Sequence, residues 1–309
     1  MKIVIMIPCY NEAGTVAKVI ADFRRELPKA EIHVYDNASD DETARESLDA
    51  GASVTYEARR GKGNVVRAMF RDIDADIYIM VDGDDTYPAE AVHKLIEPII
   101  CKQADMVVGD RLTSKSYEDT HQRMFHRFGN KLVRNIINKL FNVQMCDIMS
   151  GYRAFNAFFV KTIPVLSKGF EIETEMTLHA LDKAFNIKEI QIDYRERPPG
   201  SISKLSTIRD GIKVLKTLFW VFKDFKPLLF FTFLSMLFMT LSLISGIMPV
   251  LDYVIYQYVH HVPLAILAVG LMILSMFFFS VGLILDTVAK FQKHEYELYL
   301  NRYIETHKS

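Results

Sequence analysis

The chain has 309 residues, of which 50% are hydrophobic, and its 37 Lys and Arg side chains nearly balance its 38 Asp and Glu side chains. This length allows one large domain with additions or two modest domains, and the net charge of -1 gives no sign of a nucleic-acid partner. The three cysteines, Cys9, Cys101 and Cys146, have no CxxC spacing. The sequence therefore predicts neither a disulfide framework nor a zinc site and fits a reducing cytosol.

From residue 2 to about residue 193, short β-rich segments alternate with amphipathic helical segments such as 15–27 and 89–102. The predicted strands are 2–7, 31–35, 53–57, 77–81, 105–109 and 187–193. This alternation predicts an α/β domain with a mostly parallel sheet. Ligands of such sheets bind at the carboxyl ends of the strands. Polar clusters follow the first, second and fourth predicted strands, so we expect these clusters to converge on one site.

The segment IYIMVDGDDTYP, residues 77–88, combines a buried-type strand with three carboxylates. In an extended chain Asp82 and Asp84 point to the same face, and the intervening Gly83 allows another group to approach the backbone. Two carboxylates suit a hard cation such as Mg²⁺ or Mn²⁺, which prefers oxygen ligands and keeps positions for water and phosphates. The alternative is an ordinary polar turn, because Asp, Gly and Pro all favour turns.

Two later segments, 122–141 and 208–226, are amphipathic and basic. Their apolar residues recur at helical spacing, as in helices that lie in a membrane interface. For the first segment the alternative is a surface helix that packs on the domain.

Residues 227–251 and 263–285 each reach the ~20 apolar residues that a helix needs to cross a bilayer, and the alternative is a core hairpin of a soluble domain. The loop between them has no Lys or Arg, whereas basic residues precede and follow the hairpin. By the positive-inside rule, both termini and the α/β domain are expected in the cytoplasm. The glycines of the hairpin allow packing against neighbouring helices, and so a homo-oligomer.

The expected organisation is therefore an α/β domain at 1–200, a juxtamembrane amphipathic segment at 201–226, a hairpin of two transmembrane helices at 227–285 and a cytoplasmic tail at 286–309.

Several motifs occur in a fixed order along the chain. They are IPCYNE at Ile7, DNASDDET at Asp36, RRGKGNVVRA at Arg59, DGDD at Asp82, GDR at Gly109, SGYRAF at Ser150 and RPPGSISKL at Arg197. Their order and content resemble the family 2 glycosyltransferases, which have a GT-A fold. The GSISKL element and the hairpin resemble the polyprenyl-phosphate glycosyltransferase branch of that family, which includes dolichyl-phosphate mannose synthase.

The resemblance implies a nucleotide site at the first strand ends. It implies that Asp36 accepts a hydrogen bond from the base and that Lys62 lies near the same nucleotide. Ser203 and Lys204 lie where the family has a loop that closes over the donor pyrophosphate. The residues expected to line base and ribose are Pro8, Tyr10 and Glu12.

For the metal, the resemblance implies the DxD pair Asp82 and Asp84, with Asp84 the firmer ligand and Asp82 in contact with either the ribose or the metal. The branch has a Gln two positions after the second Asp, where this chain has Thr86, so the third protein ligand is left open. Arg111, together with Arg123 or Arg127, is expected to bind the phosphate of the acceptor, since guanidinium groups bind phosphate bidentately. Other basic candidates, each with a structural alternative, are Arg153, Arg197 and Lys204.

The implied reaction is inverting transfer of one sugar from a nucleotide-sugar donor, with UDP-glucose or UDP-N-acetylglucosamine favoured, to undecaprenyl or dolichyl phosphate. A phosphate acceptor is largely dianionic at neutral pH because its second pKa is near ~6, so it needs no protein base. Glu171, Glu173 and Glu175 occupy the region where relatives with hydroxyl acceptors carry a base, and here an acidic first helical turn is favoured.

Several alternatives remain at this point. Within the family they are a GDP-mannose-dependent dolichyl-phosphate mannose synthase, another membrane enzyme with a carbohydrate acceptor, and a processive polysaccharide synthase, although the Gln-x-x-Arg-Trp motif of the last is missing. Outside it, DGDDT also fits a DxDxT phosphatase with Asp82 as nucleophile, but that motif normally follows the first strand. A membrane adaptor with a dead sugar-nucleotide site is the non-enzyme alternative.

Overall fold

The computed structural model describes residues 1–112, 124–169, 171–195, 219–220, 223 and 225–306, with the backbone alone for 124–130. The chain divides into two compact units, Met1–Val214 and Leu215–Ser309.

A seven-stranded sheet forms the centre of the first unit. Its strands are β1 Ile3–Cys9, β2 Glu31–Asp36, β3 Ser53–Tyr56, β4 Ile77–Met80, β5 Met106–Asp110, β6 Arg153–Asn156 and β7 Ile187–Gln191. The order across the sheet is β3-β2-β1-β4-β6-β5-β7, and only the pairs that include β6 are antiparallel. The prediction of a mostly parallel α/β sheet is confirmed, and the six predicted strands are present.

Helices connect and cover these strands. They are α1 Val16–Glu26, α2 Thr43–Asp49, α3 Lys62–Asp72, a 3₁₀ turn Ala89–Ala91 that continues into α4 Val92–Ile100, α5 Met124–Phe141, α6 Ala157–Thr162 and α7 Ile172–Asp182. The buried face of α1 shows why these segments fold as they do, because Val16, Val19, Ile20 and Phe23 recur at helical spacing and pack against the sheet. Each such side chain contributes roughly 1.5–3 kcal/mol when fully buried.

Helix α5 lies on the domain through its described side chains. Val133 and Ile137, one helical turn apart, are both fully buried, and α5 contacts α7. This part of the 122–141 segment is therefore a surface helix that packs on the domain. The second amphipathic segment, 208–226, lies almost entirely outside the described residues.

The sequence does not predict β6, the antiparallel strand within the SGYRAF motif. Its first residue, Arg153, is fully buried. The guanidinium donates to the carbonyl oxygens of Ser150 and Ile148 at 2.9 and 2.6 Å and to the Thr177 hydroxyl at 2.9 Å. Burial lowers the pKa of Arg153 to about 10. Because its described contacts are all internal, the structure favours the structural alternative for Arg153.

The second unit contains two long helices, α8 Pro227–Tyr256 and α9 Val262–Thr306. Both are long and apolar enough to cross a bilayer by length and composition. Most of their large apolar side chains are exposed, as at Phe233 (70%) and Met276 (66%), which is unlike the core hairpin of a soluble domain. Both helices extend beyond the predicted spans, so that the connecting turn shrinks to 257–261 and helix continues through 286–306.

Hydrogen bonds of small polar side chains connect the two helices. The hydroxyl groups of Ser235 and Ser275 lie 3.0 Å apart, and the Ser242 hydroxyl donates to the Ala268 carbonyl oxygen at 2.7 Å. Such interhelical hydrogen bonds stabilise helix pairs in an apolar surrounding. At the turn, Asp252 Oδ2 accepts from the backbone N–H groups of His260 and His261, which directly precede α9.

Two glycines of α9 differ in their surroundings. A Cβ atom added at Gly282 would lie 2.8 Å from the Cβ atom of Phe231 on α8, whereas one added at Gly270 would meet no atom within 4 Å. Gly282 therefore permits the close approach of the helices, and Gly270 has no such role within the hairpin.

We expect Gly282→Leu to separate the two helices and to lower stability by about 1–3 kcal/mol, the usual cost of overpacking. The measurement is the temperature at which the purified protein in detergent loses its monodisperse elution peak. Gly270→Leu is the matched control and should leave that temperature unchanged, and equal losses in both variants would contradict the packing described.

Candidate active site

The candidate site lies where the three neighbouring parallel strands β2, β1 and β4 end. The register pairs Cys9 with Asp36 and Met6 with Met80, so these strand ends are close to level. The buried thiol of Cys9 lies among these strand ends. Burial raises its pKa well above the ordinary value, and the negative charges of four nearby carboxylates raise it further. These carboxylates are Glu12, Asp36, Asp82 and Asp84. The expected convergence of the polar clusters is thus present in the structure.

The loop that follows β1 is fastened to both neighbouring loops. The Glu12 N–H donates to the Thr43 hydroxyl at 2.9 Å, which joins it to the segment after β2. The Thr15 hydroxyl donates to the Gly83 carbonyl oxygen at 2.7 Å, which joins it to the segment after β4. These contacts fix the relative positions of the IPCYNE, DNASDDET and DGDD motifs.

Asp82 lies between an ammonium group and a backbone segment. Its Oδ1 atom accepts from Lys62 Nζ at 2.5 Å. On the other side, a Cβ atom added at Gly151 would lie 2.5 Å from Asp82 Oδ2, so a larger residue there would displace the carboxylate. The carboxylate is nevertheless 28% exposed, and it can therefore still accept a ligand from the open side.

Lys62 contacts a second carboxylate, that of Glu173 on α7, at 2.6 Å. Burial alone would lower the pKa of Lys62, but Asp82 and Glu173 outweigh this effect and raise the pKa well above its ordinary value. The ammonium group is therefore charged, and it offsets part of the negative charge that the strand ends bring together.

Asp84 is more deeply buried than Asp82, with 5% of its surface exposed. Its Oδ1 atom accepts from the Thr86 hydroxyl at 2.6 Å and from the Thr86 N–H at 3.3 Å. The Thr86 hydroxyl thus donates its proton to Asp84 and orients the carboxylate.

Asp85, the third carboxylate of DGDD, points to another group of residues. Its backbone is left-handed, with φ of 57°, and its side chain lies 2.5 Å from Lys18 Nζ and 3.9 Å from Arg195 Nη1. The turn after β4 thus separates the carboxylates, with Asp82 and Asp84 on the site and Asp85 paired with cations of α1 and of the segment after β7.

The pair Asp82 and Asp84 is the donor set that could hold a divalent cation. Among the residues that the structure describes, no group of three or more His, Cys, Asp or Glu side chains is placed to hold one. Two hard oxygen donors with one exposed carboxylate fit Mg²⁺ or Mn²⁺, which usually binds through one or two carboxylates together with waters and phosphate oxygens.

The nucleotide side of the site contains a buried acceptor. Asp36 is 3% exposed; its Oδ2 accepts from the Ser39 N–H, and its Oδ1 has no hydrogen-bond partner among the described residues. A buried carboxylate oxygen without a donor is costly. An N–H group of a bound ligand would satisfy it.

Tyr10 and the RRGKG segment lie beside Asp36. The Arg60 guanidinium lies over the Tyr10 ring, 5.2 Å from its centroid. Asn37 holds this segment in place, because its side chain accepts from the Gly61 N–H at 2.6 Å and donates to the carbonyl oxygens of Glu57 and Arg59. Pro8, Tyr10 and Glu12 are all half-buried at this edge.

Arg111 lies beside the site but is already engaged. Its guanidinium donates to Asp147 Oδ2 at 2.8 Å, to the Met149 carbonyl oxygen at 3.1 Å and to the Tyr87 hydroxyl at 3.4 Å. The Tyr87 hydroxyl also accepts from the N–H of Gly151, the residue packed against Asp82. Arg111 is thus connected to the DGDD segment through Tyr87, and 17% of its side chain is exposed.

Some predicted site residues lie outside the described part of the chain. They are Arg123, Arg197, Ser203, Lys204 and the side chain of Arg127.

Sequence reasoning missed part of the site. Glu173 and Glu175 do occupy the first turn of α7, as expected, yet both are buried. Glu173 contacts Lys62, and Glu175 accepts from the N–H groups of Leu166 and Ser167 at 2.8 and 2.9 Å. A signal was present in GKG, because a lysine between glycines at a carboxylate site needs a counter-charge. Nothing in the sequence identified Glu173 as that group.

The sequence model of one protein family, described as Glycosyl transferase family 2, matches residues 4–163 of the chain. Among curated proteins, Glycosyltransferase AglJ of Haloferax volcanii is 35% identical over 228 residues, which is 74% of each chain. A dolichyl-phosphate hexose transferase of the same organism is 29% identical over 210 residues, 68% of this chain and 89% of that protein.

Among solved structures, the fold is similar to that of glucosyl-3-phosphoglycerate synthase from Mycobacterium tuberculosis in complex with Mn²⁺, UDP and glucosyl-3-phosphoglycerate. The TM-score is 0.57 at 18% identity, over 70% of this chain and 78% of that chain. This similarity confirms the GT-A-like fold. The match over 4–163 includes the β1, β2 and β4 strand ends that carry Asp36, Asp82 and Asp84, so the chain belongs to glycosyl transferase family 2 and is a glycosyltransferase.

Proposed function

We propose that the enzyme transfers one sugar from a nucleotide-sugar donor to a polyprenyl phosphate in the bilayer, with inversion at the anomeric carbon. The observation that carries this proposal is the group of Asp36, Asp82 and Asp84 around Cys9 at one sheet edge. In a chain with two exposed apolar helices, such a site suits a soluble anionic donor and a membrane-bound acceptor.

The donor half of the proposal rests on the two kinds of carboxylate. The unpartnered Oδ1 atom of Asp36 suits an N–H group of a nucleobase, and Tyr10 directly follows Cys9, the register partner of Asp36. Asp82 and Asp84 would hold Mg²⁺ or Mn²⁺, which offsets the charge of a diphosphate leaving group when it is bound. The similar structure of glucosyl-3-phosphoglycerate synthase contains Mn²⁺ and UDP, which supports a metal and a uridine nucleotide here.

The acceptor half rests on relatives and on charge. One relative is named a dolichyl-phosphate hexose transferase. A phosphate monoester, largely dianionic at neutral pH, is its own nucleophile and needs no base. The carboxylate of Glu173 agrees with this, because Lys62 already occupies its Oε1 atom at 2.6 Å. What the protein must supply is positive charge and positioning, for which Arg111 and, beyond the described residues, Arg123 or Arg127 are the candidates.

The third part of the proposal is the membrane topology, in which the catalytic domain and both termini lie in the cytoplasm. Basic residues flank the hairpin on both sides and are missing from its turn, as the positive-inside rule requires. We retain 1–200 as the catalytic domain, 201–226 as the juxtamembrane segment, 227–285 as the hairpin and 286–309 as the tail.

The test is an assay of membranes that contain the protein, with a panel of radiolabelled UDP- and GDP-sugars and with undecaprenyl or dolichyl phosphate. We expect a lipid product that mild acid hydrolyses, with UDP-glucose or UDP-N-acetylglucosamine as donor. An acid-stable product would indicate a hydroxyl acceptor and contradict the proposal, and a product from GDP-mannose alone would favour the mannose synthase alternative.

We expect Asp84→Ala, and also Asp84→Asn, to reduce transfer by about two orders of magnitude or more, because a neutral side chain holds a divalent cation poorly. The Asn variant keeps an oxygen that can accept from Thr86. It therefore separates the loss of the negative charge from the loss of the hydrogen bonds that stabilise the turn. Asp85→Asn is the matched control, since Asp85 pairs with Lys18 outside the site and Asn tolerates its left-handed backbone. Transfer retained by both Asp84 variants would remove Asp84 from the metal site.

We expect Arg111→Ala to raise the KM of the lipid acceptor more than that of the donor, because its role is assigned to the acceptor phosphate. Its loss also leaves the buried Asp147 carboxylate without its ion-pair partner, so Arg111→Lys is needed as a second variant that keeps the charge but not the fork. The measurement is initial rates with each substrate varied in turn. A larger effect on the donor KM in both variants would reassign Arg111 to the donor.

A further inference from the structure

The Lys62 ammonium group lies between two carboxylates that differ in solvent exposure, and so in how readily each can bind another ligand. It is 2.5 Å from Asp82 Oδ1 and 2.6 Å from Glu173 Oε1. The Glu173 side chain is 6% exposed and that of Asp82 is 28% exposed. One cation is therefore shared by a carboxylate that faces the open site and a carboxylate that faces the interior.

The backbone that carries Lys62 is fixed on both sides. A Cβ atom added at Gly61 or Gly63 would collide with the carbonyl group of Lys168 or Ser167, and the Gly61 N–H donates to Asn37. Only the four-carbon stem of Lys62 can adjust. A change in its pairing would thus move the ammonium group between Asp82 and Glu173 without moving α3.

Glu173 is fixed in the same way. Its helix, α7, buries every residue from Ile172 to Ala180, and the Thr177 hydroxyl donates to the Glu173 carbonyl oxygen at 3.0 Å. Two residues on, Glu175 accepts from the N–H groups of Leu166 and Ser167, and the Ser167 carbonyl group abuts Gly63 of α3. Glu173 is therefore a permanent counter-charge for Lys62.

From this geometry we propose that Glu173 is a positioning residue that sets the competition between the Lys62 ammonium group and a divalent cation for the carboxylate of Asp82. The inference rests on the proposed function, in which Asp82 and Asp84 hold that cation. Without the cation, Lys62 neutralises Asp82. When the cation binds Asp82, Glu173 retains Lys62, so that no buried ammonium group is left unpaired.

A second account is that Lys62 and Glu173 each act on the cation independently, through their charge alone. For single variants it makes the same prediction as our proposal, since removal of a positive charge strengthens cation binding and removal of a negative charge weakens it. The two accounts differ in the double variant. If Glu173 acts through Lys62, the effect of Glu173→Gln disappears once Lys62 is replaced, whereas independent charges act additively.

The experiment measures binding of Mn²⁺ alone to the full-length protein in detergent, from the electron paramagnetic resonance signal of free Mn²⁺. We expect Lys62→Met to tighten binding about tenfold and Glu173→Gln to weaken it about tenfold, as close ion pairs of partly buried groups allow. In the Lys62→Met background, Glu173→Gln should change the affinity by less than about twofold. Glu171→Gln, which removes an exposed carboxylate two residues away on the same helix end, should leave the affinity unchanged.

Glu173→Asp keeps the charge but shortens the side chain, so it tests the contact itself in a variant that disturbs the fold less. We expect it to weaken Mn²⁺ binding, because Lys62 then pairs more strongly with Asp82. Additive effects in the double variant, or wild-type affinity in Glu173→Asp, would overturn the inference alone. If wild-type protein binds no Mn²⁺ with or without UDP, the proposed metal site itself fails, and the inference fails with it.

Discussion

Repulsion between carboxylates is the constraint on which the rest of this site depends. Parallel strands bring their carboxyl ends to one edge, and here that edge places Asp36, Asp82, Asp84 and Glu12 around one buried thiol. Like charges brought together at one edge destabilise a folded protein unless cations or donors offset them. The structure does this with a buried lysine, a threonine hydroxyl and turns that direct one aspartate elsewhere. The chemistry of the site depends on which of these compensating groups a bound metal or substrate can replace.

Each of the three acidic residues of DGDD is compensated in a different way, and the difference assigns their roles. Asp85 pairs with surface cations and stabilises the turn. Asp84 is oriented by Thr86. Asp82 is paired with the Lys62 ammonium group, and it is the more exposed of the two site carboxylates. A sequence motif of adjacent acids thus becomes one structural residue and two ligand candidates of unequal freedom.

The sequence predicted much of this fold because local periodicity and strand-end polarity carry the information. Six strands, the edge of the site and the two long apolar helices are of that kind. The strand β6 was missed because it is short and begins with Arg153, whose burial depends on carbonyl oxygens and a hydroxyl supplied from elsewhere in the fold. Glu173 was missed for a similar reason, since its partner Lys62 belongs to a distant helix and only the tertiary structure brings them together. The role of Thr86 also required geometry, because a hydroxyl can either bind a metal or orient the acid beside it.

The last helix has a mechanical consequence. At 45 residues it is about 67 Å long, more than twice the ~30 Å hydrocarbon thickness of a bilayer. The helix is continuous past residue 285, where the apolar part ends, so its polar half extends for about 30 Å beyond that point. A tilt of the apolar half therefore displaces the last turns of the helix farther than the residues near 285, because they lie farther along it.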